Sequence, residues 1–231
     1  MRAVLAGLLL VLAAGDAAAG AWPRERGEGF LSLSATTTTG ARTLLDAMQD
    51  IRSYTSLFAE YGLTERLTVG LDAGYGTGED KTIATALVFA RLPVWTGPEG
   101  RHRVAADLGF GLLDDEDGRQ TRIRPGLAWG YGFERPWDGG WLGIEASADL
   151  HLPSNELALK ADLTAGIRPN DTWMLIFQVQ TGRYPDDGPL VRLAPSVVCR
   201  IGPRMRLQVG GTASVVGDDA LGVTVATWLD F

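Results

Sequence analysis

From Gly27 onward the chain alternates. Between Arg66 and Gly76, Leu67, Val69, Leu71, Ala73 and Tyr75 share one parity, and Arg66, Thr68, Gly70, Asp72 and Gly74 the other. Side chains of an extended chain point to opposite faces in turn, so this spacing predicts a strand with one apolar and one polar face. The last twelve residues set Leu221, Val223, Val225, Thr227, Leu229 and Phe231 against Ala220, Gly222, Thr224, Ala226, Trp228 and Asp230. Segments 30–37, 54–63, 82–95, 103–112, 121–133, 141–152, 156–167, 173–181, 190–201 and 205–215 read in the same way, giving about twelve strands. Turn residues separate them, as at 64–65, 96–100, 136–140, 169–171 and 202–203. Strands and turns at regular intervals predict an antiparallel meander and not βαβ units.

Some stretches break the pattern. Residues 40–51 read as a loop, with one helical turn through Leu44–Met48. Pro125 and Pro195 fall inside predicted strands, where each removes a ladder hydrogen bond, so a bulge is expected at each. A ten-stranded arrangement with other boundaries is the alternative. In 82–95 the two faces are poorly distinguished.

Composition then chooses the setting. No segment after the first residues approaches ~18 consecutive apolar positions, so no helical span is expected. Mean hydropathy is nevertheless +0.04 with 21% charged residues. An all-β, antiparallel up-and-down transmembrane barrel resolves the tension, because its apolar residues stand at alternate positions. The net charge of −7 argues against nucleic acid. Cys199 is the single cysteine and His102 and His151 are the only histidines, so no metal site and no cofactor are expected.

The start of the chain has its own grammar. Met1-Arg2, an apolar and glycine run over 4–14, and small residues at Ala17, Ala18, Ala19, Gly20 and Ala21 predict a secretory signal peptide. Cleavage is expected after Ala19 or Ala21, giving a leader over 1–20 and a barrel over 21–231. No cysteine follows the run, which excludes a lipoprotein.

The connections sort into two kinds. Alternate ones are short and hold Pro, Gly and Asn. The others carry acids: Asp46 and Asp50, Glu79-Asp80, Asp114–Asp117, Asp186-Asp187 and Asp218-Asp219, with the tight Pro153–Asn155 turn the exception in length and charge. If the first strand runs outward from the periplasm, the short turns are periplasmic, the acidic loops extracellular, and both termini periplasmic, as in even-stranded bacterial barrels. Trp22, Trp95, Trp137, Trp141, Trp173 and Trp228 lie near predicted periplasmic ends, where an interfacial aromatic girdle is expected. The closing strand, ending on Phe231 with Leu229 two positions before it, resembles that of bacterial outer-membrane barrels. The resemblance implies that the barrel-assembly machinery reads Leu229 and Phe231 as an insertion signal, in a membrane of lipid and lipopolysaccharide.

With the apolar face toward lipid, the other face supplies a lumen of Glu60, Arg66, Asp72, Arg91, Arg103, Asp107, Arg124, Glu145, Asp149, His151, Lys160, Asp162, Arg192, Arg200 and Arg206. Charges at strand centres are tolerable only against water or each other. Two readings stay open: ion pairs that brace the wall, or a hydrated pore that selects a solute. A basic group of Arg66, Arg91, Arg103, Arg200 and Arg206 toward the periplasmic end would favour anions if it lined the constriction. A lipid hydrolase is the competing class, through His151 and Ser154, but their spacing of three residues departs from the phospholipase pattern. The segment 58–75, with Tyr61-Gly-Leu-Thr-Glu-Arg-Leu-Thr68 at its centre, resembles a hairpin of the outer-membrane family labelled for the meta-pathway of phenol degradation. That resemblance implies a small transport barrel passing small, aromatic solutes, with no catalysis.

Overall fold

The computed structural model describes residues 20–40, 51–78, 81–116, 118–136, 138–184 and 188–231. Twelve strands close on themselves: β1 (Gly29–Gly40), β2 (Ile51–Gly62), β3 (Thr68–Gly78), β4 (Lys81–Thr96), β5 (His102–Asp115), β6 (Gly118–Phe133), β7 (Gly140–Leu152), β8 (Glu156–Ile167), β9 (Trp173–Arg183), β10 (Pro189–Arg200), β11 (Met205–Val216) and β12 (Ala220–Asp230). Every neighbouring pair is antiparallel and consecutive in sequence, and β1 meets β12 to complete the barrel. At that seam Phe30 lies opposite Asp230 and Gly40 opposite Ala220, with Gly29 and Phe231 exchanging backbone hydrogen bonds beyond it. Closure leaves no edge, so every strand satisfies its backbone on both sides, which a lipid environment demands.

The strands run from 11 to 16 residues. A tilted transmembrane strand needs ~9–11, so each is long enough to cross. Alternation fixes the two faces. Val88, Leu108, Phe110, Leu127, Leu159, Leu163, Phe177 and Val223 are exposed on the outside, while Leu87, Phe89, Ala105, Ala128 and Met174 of the opposite parity are buried within. An apolar exterior around a polar interior is the inverse of a soluble sheet and belongs in a bilayer.

The expected ten-stranded alternative does not occur. No bulge forms at the two prolines either. The register stays constant across Pro125 in the β6–β7 ladder and across Pro195 in the β10–β11 ladder, each with a local gap in pairing. The other neighbour keeps its pairing, with Leu108 opposite Pro125 and Phe177 opposite Pro195. A proline lacks only the N–H, so losing one neighbour's bonds suffices. Register shifts occur at Pro93/Trp95 and Val191/Arg192.

One end of the barrel, the terminal end, holds Gly29 and Phe231. The other, acidic end holds the connections rich in Asp and Glu. Length does not separate them as expected: only two residues join β3 to β4 and β5 to β6, and three join β11 to β12. Charge does. At the terminal end, turns are closed by side chains: Thr64 Oγ1 accepts from the N–H of Arg66 and Leu67, and Asn170 Oδ1 from those of Thr172 and Trp173. The expected helical turn at 44–48, most of the loop at 40–51 and the leader up to Ala19 lie outside the described residues.

Candidate functional site: a lumen with one closed end

Toward the terminal end the inward parity is apolar as well as charged. Phe89 stacks on Phe58 at 5.8 Å between ring centroids, Phe58 meets Phe30 at 6.5 Å, and Phe30 meets Trp228 at 5.8 Å. The buried cluster of Trp141, Met174 and Val198 continues from there, with Ile176, Trp228 and Trp22 packed on it. These residues come from β1, β2, β4, β7, β9, β10 and β12, so they form a collar around most of the lumen. Gly166 on β8 and Gly130 on β6 make room for it: a side chain on Gly166 would overlap the Trp141 ring, and one on Gly130 the Trp22 ring.

Residues 20–28 enter this collar. Ala21 is buried, and the backbone N–H of Arg24 donates to Thr68 Oγ1 at 3.0 Å. Arg24 Nε reaches Glu60 Oε2 at 3.1 Å, and its guanidinium lies 4.7 Å from the Phe30 ring centroid. Gly27 N–H donates to the Gly62 carbonyl and Gly62 N–H to the Glu28 carbonyl, both at 2.9 Å. The segment is therefore a strap tied to β2 and β3 that crosses the mouth with Trp22 in the collar.

The tryptophans need correcting on this account. Trp22, Trp141 and Trp228 face inward and build the collar, not a girdle. Trp95 and Trp173 are exposed outside, and Trp95, His102, Trp129, Tyr131 and Phe133 form a chain of ring contacts there. Trp137 lies outside the described residues. Aromatic rings suit either the membrane interface or a packed collar, and strand parity decides which.

The charges divide by depth. Beside the collar, Glu60 accepts from both Arg24 and Arg91, and Arg91 Nε lies 3.7 Å from Asp107 Oδ2. The Glu60 and Arg91 side chains are 5% and 7% exposed. Farther along, Arg124 meets Asp72 at 2.7 Å and Lys160 meets Asp162 at 2.9 Å, yet Asp72 keeps 35% and Lys160 53% of its exposure. Those two face inward, so the water they touch is inside the barrel. Arg122 Nε donates to Asp149 Oδ2 at 2.9 Å, with the His151 imidazole 3.7 Å from the same carboxylate. Arg192 donates to Ser214 at 3.3 Å and lies 3.4 Å from Asp218 at the acidic rim.

The expected basic group does not come together. Arg66 is in the exposed β2–β3 turn and Arg200 is exposed at the strand end. Arg206 is paired with Asp230 and Arg91 with Glu60, which cancels their charge. Arg103 keeps a buried Nε with no hydrogen-bond partner, as does Arg91, whose Nε lies only within ion-pair distance of Asp107. Glu145 lies against Gly20 of the strap. Leu229 and Phe231 are exposed on the outer face.

The wall is also uneven around its circumference. Strands β3 to β8 hold most of the charge. From β9 through β12 to β2, between Arg192 near the acidic rim and Glu60 and the Arg206–Asp230 pair toward the terminal end, the middle of the inner face is neutral: Gln178 donates to Thr164 at 3.1 Å, Gln208 to Ser196 at 2.9 Å, Thr36 and Thr224 share a bond of 2.9 Å, and Ser34 and Ser56 one of 2.7 Å.

Ser154 does not address His151. Its hydroxyl donates to Gln120 Oε1 at 2.7 Å and approaches Glu156 Oε2 at 3.2 Å, touching His151 only at the backbone carbonyl, 3.5 Å away. A serine nucleophile needs its hydroxyl within hydrogen-bond reach of the imidazole. No group of three or more His, Cys, Asp or Glu among the described residues is arranged to hold a metal ion.

Sequence reasoning missed Arg122, Arg24 and the collar. Arg122 shares the parity of Arg124 two residues on, and Phe58, Phe89, Trp141 and Trp228 share that of neighbouring lumen charges, so the signal was present in the parity itself. For Arg24 no periodic signal exists.

No family model matches the chain, and no curated protein matches its sequence. Its fold does have solved counterparts among small outer-membrane barrels. An outer membrane channel from Pseudomonas putida F1 aligns with a TM-score of 0.64 at 11% identity over 93% of this chain and 99% of its own. The NanC porin aligns at 0.62 and 10% identity over 86% and 98%. The KdgM porin, solved with disordered oligogalacturonate, aligns at 0.58 and 8% identity over 87% and 99%. The chain shares the fold of these channel and porin barrels, closing with twelve strands of its own.

Proposed function

We propose that the chain is a small outer-membrane channel that takes small solutes into a wet lumen from the acidic end and passes them through the apolar collar. The water-accessible inward charges carry this reading: Lys160 and Asp72 are ion-paired yet remain a half and a third exposed inside a closed barrel. A barrel built only to brace a wall would bury them. Twelve strands stand between the eight that side chains fill and the sixteen that leave a broad channel. Charged and amide side chains above an aromatic collar suit a small solute with a polar group and an apolar body, in line with the resemblance of the 58–75 hairpin. The anchor in lipid and lipopolysaccharide, and the role of Leu229 and Phe231 in assembly, follow from the same reading.

In this reading residues 1–20 are a leader removed on export, the terminal end faces the periplasm, and the acidic end faces the medium. Both termini are then periplasmic. The chain is not a hydrolase, a view supported by the orientation of Ser154 away from the imidazole. The inward residues from Glu60 to Arg206 named above act by pairing and hydration, and Arg66 and Arg200 stand at the terminal rim.

Planar-bilayer recording tests this. The purified barrel should give small discrete conductance steps, and Trp141→Ala, which removes the most buried indole ring of the collar, should enlarge them. If neither protein conducts in bilayers that pass a control porin, the channel reading is wrong.

A further inference from the structure

We propose that cleavage between Ala19 and Gly20 places the new α-ammonium of Gly20 against the Glu145 carboxylate, so that processing locks the strap across the terminal mouth. Only the consequence for solute flow rests on the channel reading. The latch itself is a contact inside the barrel.

Glu145 stands apart from the other inward carboxylates. Glu60, Asp72, Asp107, Asp149 and Asp162 each have an Arg or Lys partner. Glu145 makes no ion pair or hydrogen bond among the described residues, and its ladder neighbours are Ala128 on β6 and Asp162 on β8. Neither supplies a cation, and Arg91 and Lys160, which act on Glu145 across space, are each already paired with another carboxylate. A carboxylate removed from bulk water without a direct hydrogen-bonded partner is unfavourable.

The strap brings the missing charge to that place. A methyl group built on the Gly20 α-carbon would come within 2.6 Å of Glu145 Cδ and Oε2, so the backbone of Gly20 already touches the carboxylate. The nitrogen of Gly20 is one bond from that carbon. In the uncleaved chain it is a neutral amide. Cleavage after Ala19, within a run of small residues of the kind signal peptidases accept, turns it into an ammonium. Hydrolysis of the Ala19–Gly20 peptide bond consumes one water and leaves a carboxylate on Ala19 and the amine on Gly20, which is protonated at neutral pH. The next residues are fixed as well, since Ala21 is buried, Trp22 is in the collar and Arg24 is bound to Thr68 and Glu60. The latch therefore closes a strap already docked along its length. Cleavage after Ala21 would discard Gly20 and leave Glu145 without this partner.

The test uses the exported, folded barrel in detergent, its folding checked by heat-modifiable gel migration. Intact mass and amino-terminal sequencing should show a chain beginning at Gly20. Trypsin should cut slowly after Arg24 in the native chain. Glu145→Gln, which keeps the shape and loses the charge, should speed that cut by roughly tenfold as the strap opens locally. A variant with two serines between Ala19 and Gly20, cleaved behind Ala19, leaves Glu145 intact but displaces the ammonium. It should match Glu145→Gln, which a merely structural role for Glu145 would not produce. A mature chain beginning at Trp22 overturns the proposal, as does protection equal to the native chain in both variants. Bilayer recording of the same proteins separates the two claims. Changed proteolysis with no conductance in any variant keeps the latch and removes the channel, whereas conductance with unchanged proteolysis does the reverse.

Discussion

At the terminal end, Glu60 and Arg91 pair beneath an aromatic collar and are almost wholly withdrawn from water. Toward the acidic end, Arg124 and Asp72 make the same kind of pair from neighbouring parts of the same wall, and stay partly hydrated. The difference lies in what surrounds each pair. Phe89, Phe58 and the strap close over the first, while among the described residues nothing of that kind closes over the second. Ion pairs are worth little where water screens them and are costly to break where it does not, so one chemical motif has a structural job at one end and a solvated one at the other.

The largest effect expected is at the terminal seam. Deleting Phe231 removes the reciprocal backbone bonds with Gly29 and the aromatic ending. Assembled barrel in outer-membrane fractions should fall steeply, and normal membrane levels would contradict this. Next comes the buried pair. Arg91→Ala leaves Glu60 and Asp107 short of a cation and should cost about 3 kcal/mol in reversible urea unfolding, in the range for breaking a buried pair. Placing a charge outside should cost a similar amount: Leu108→Arg at the centre of the lipid face is expected to destabilise by roughly 2–4 kcal/mol. Arg124→Ala should cost less than about 1 kcal/mol, because its pair with Asp72 is hydrated. If Arg91→Ala and Arg124→Ala prove equal, the two ends do not differ as described.

Most of the barrel was legible in the sequence because a period of two is a strong signal over ten or more residues. The segment 156–167 matches β8 at both boundaries, and most other strands differ by one to three residues. The collar was harder to see. Leu87 and Phe89 blur the alternation of β4 because they are apolar on the inward face, which looks like noise until the collar explains it. Trp228 falls on the small and polar face of the last strand, so parity already pointed it inward, yet its position near the strand end suggested the interface. The strap was illegible for a different reason. Residues 22–28 mix Pro, Gly and charge without period, and only tertiary contacts show that Arg24 belongs to Glu60. The acidic connections misled on length because strands such as β5 extend into the acids themselves, up to Asp115.

The central claim is a lumen wet on one side of the collar and narrowed to packed apolar side chains at the collar itself, and thiol labelling reads it directly. In a Cys199→Ala background, Ser34→Cys places a thiol on the half-exposed inner face of β1, and Val198→Cys places one inside the collar, where Val198 is 1% exposed. A small charged thiol reagent added to the folded barrel should modify the first at least about a hundred times faster than the second, as expected when labelling of the buried site must await local opening. Equal rates would mean that the collar side chains are as open to water as the wall beyond them, and the account of a constricted terminal end would be wrong.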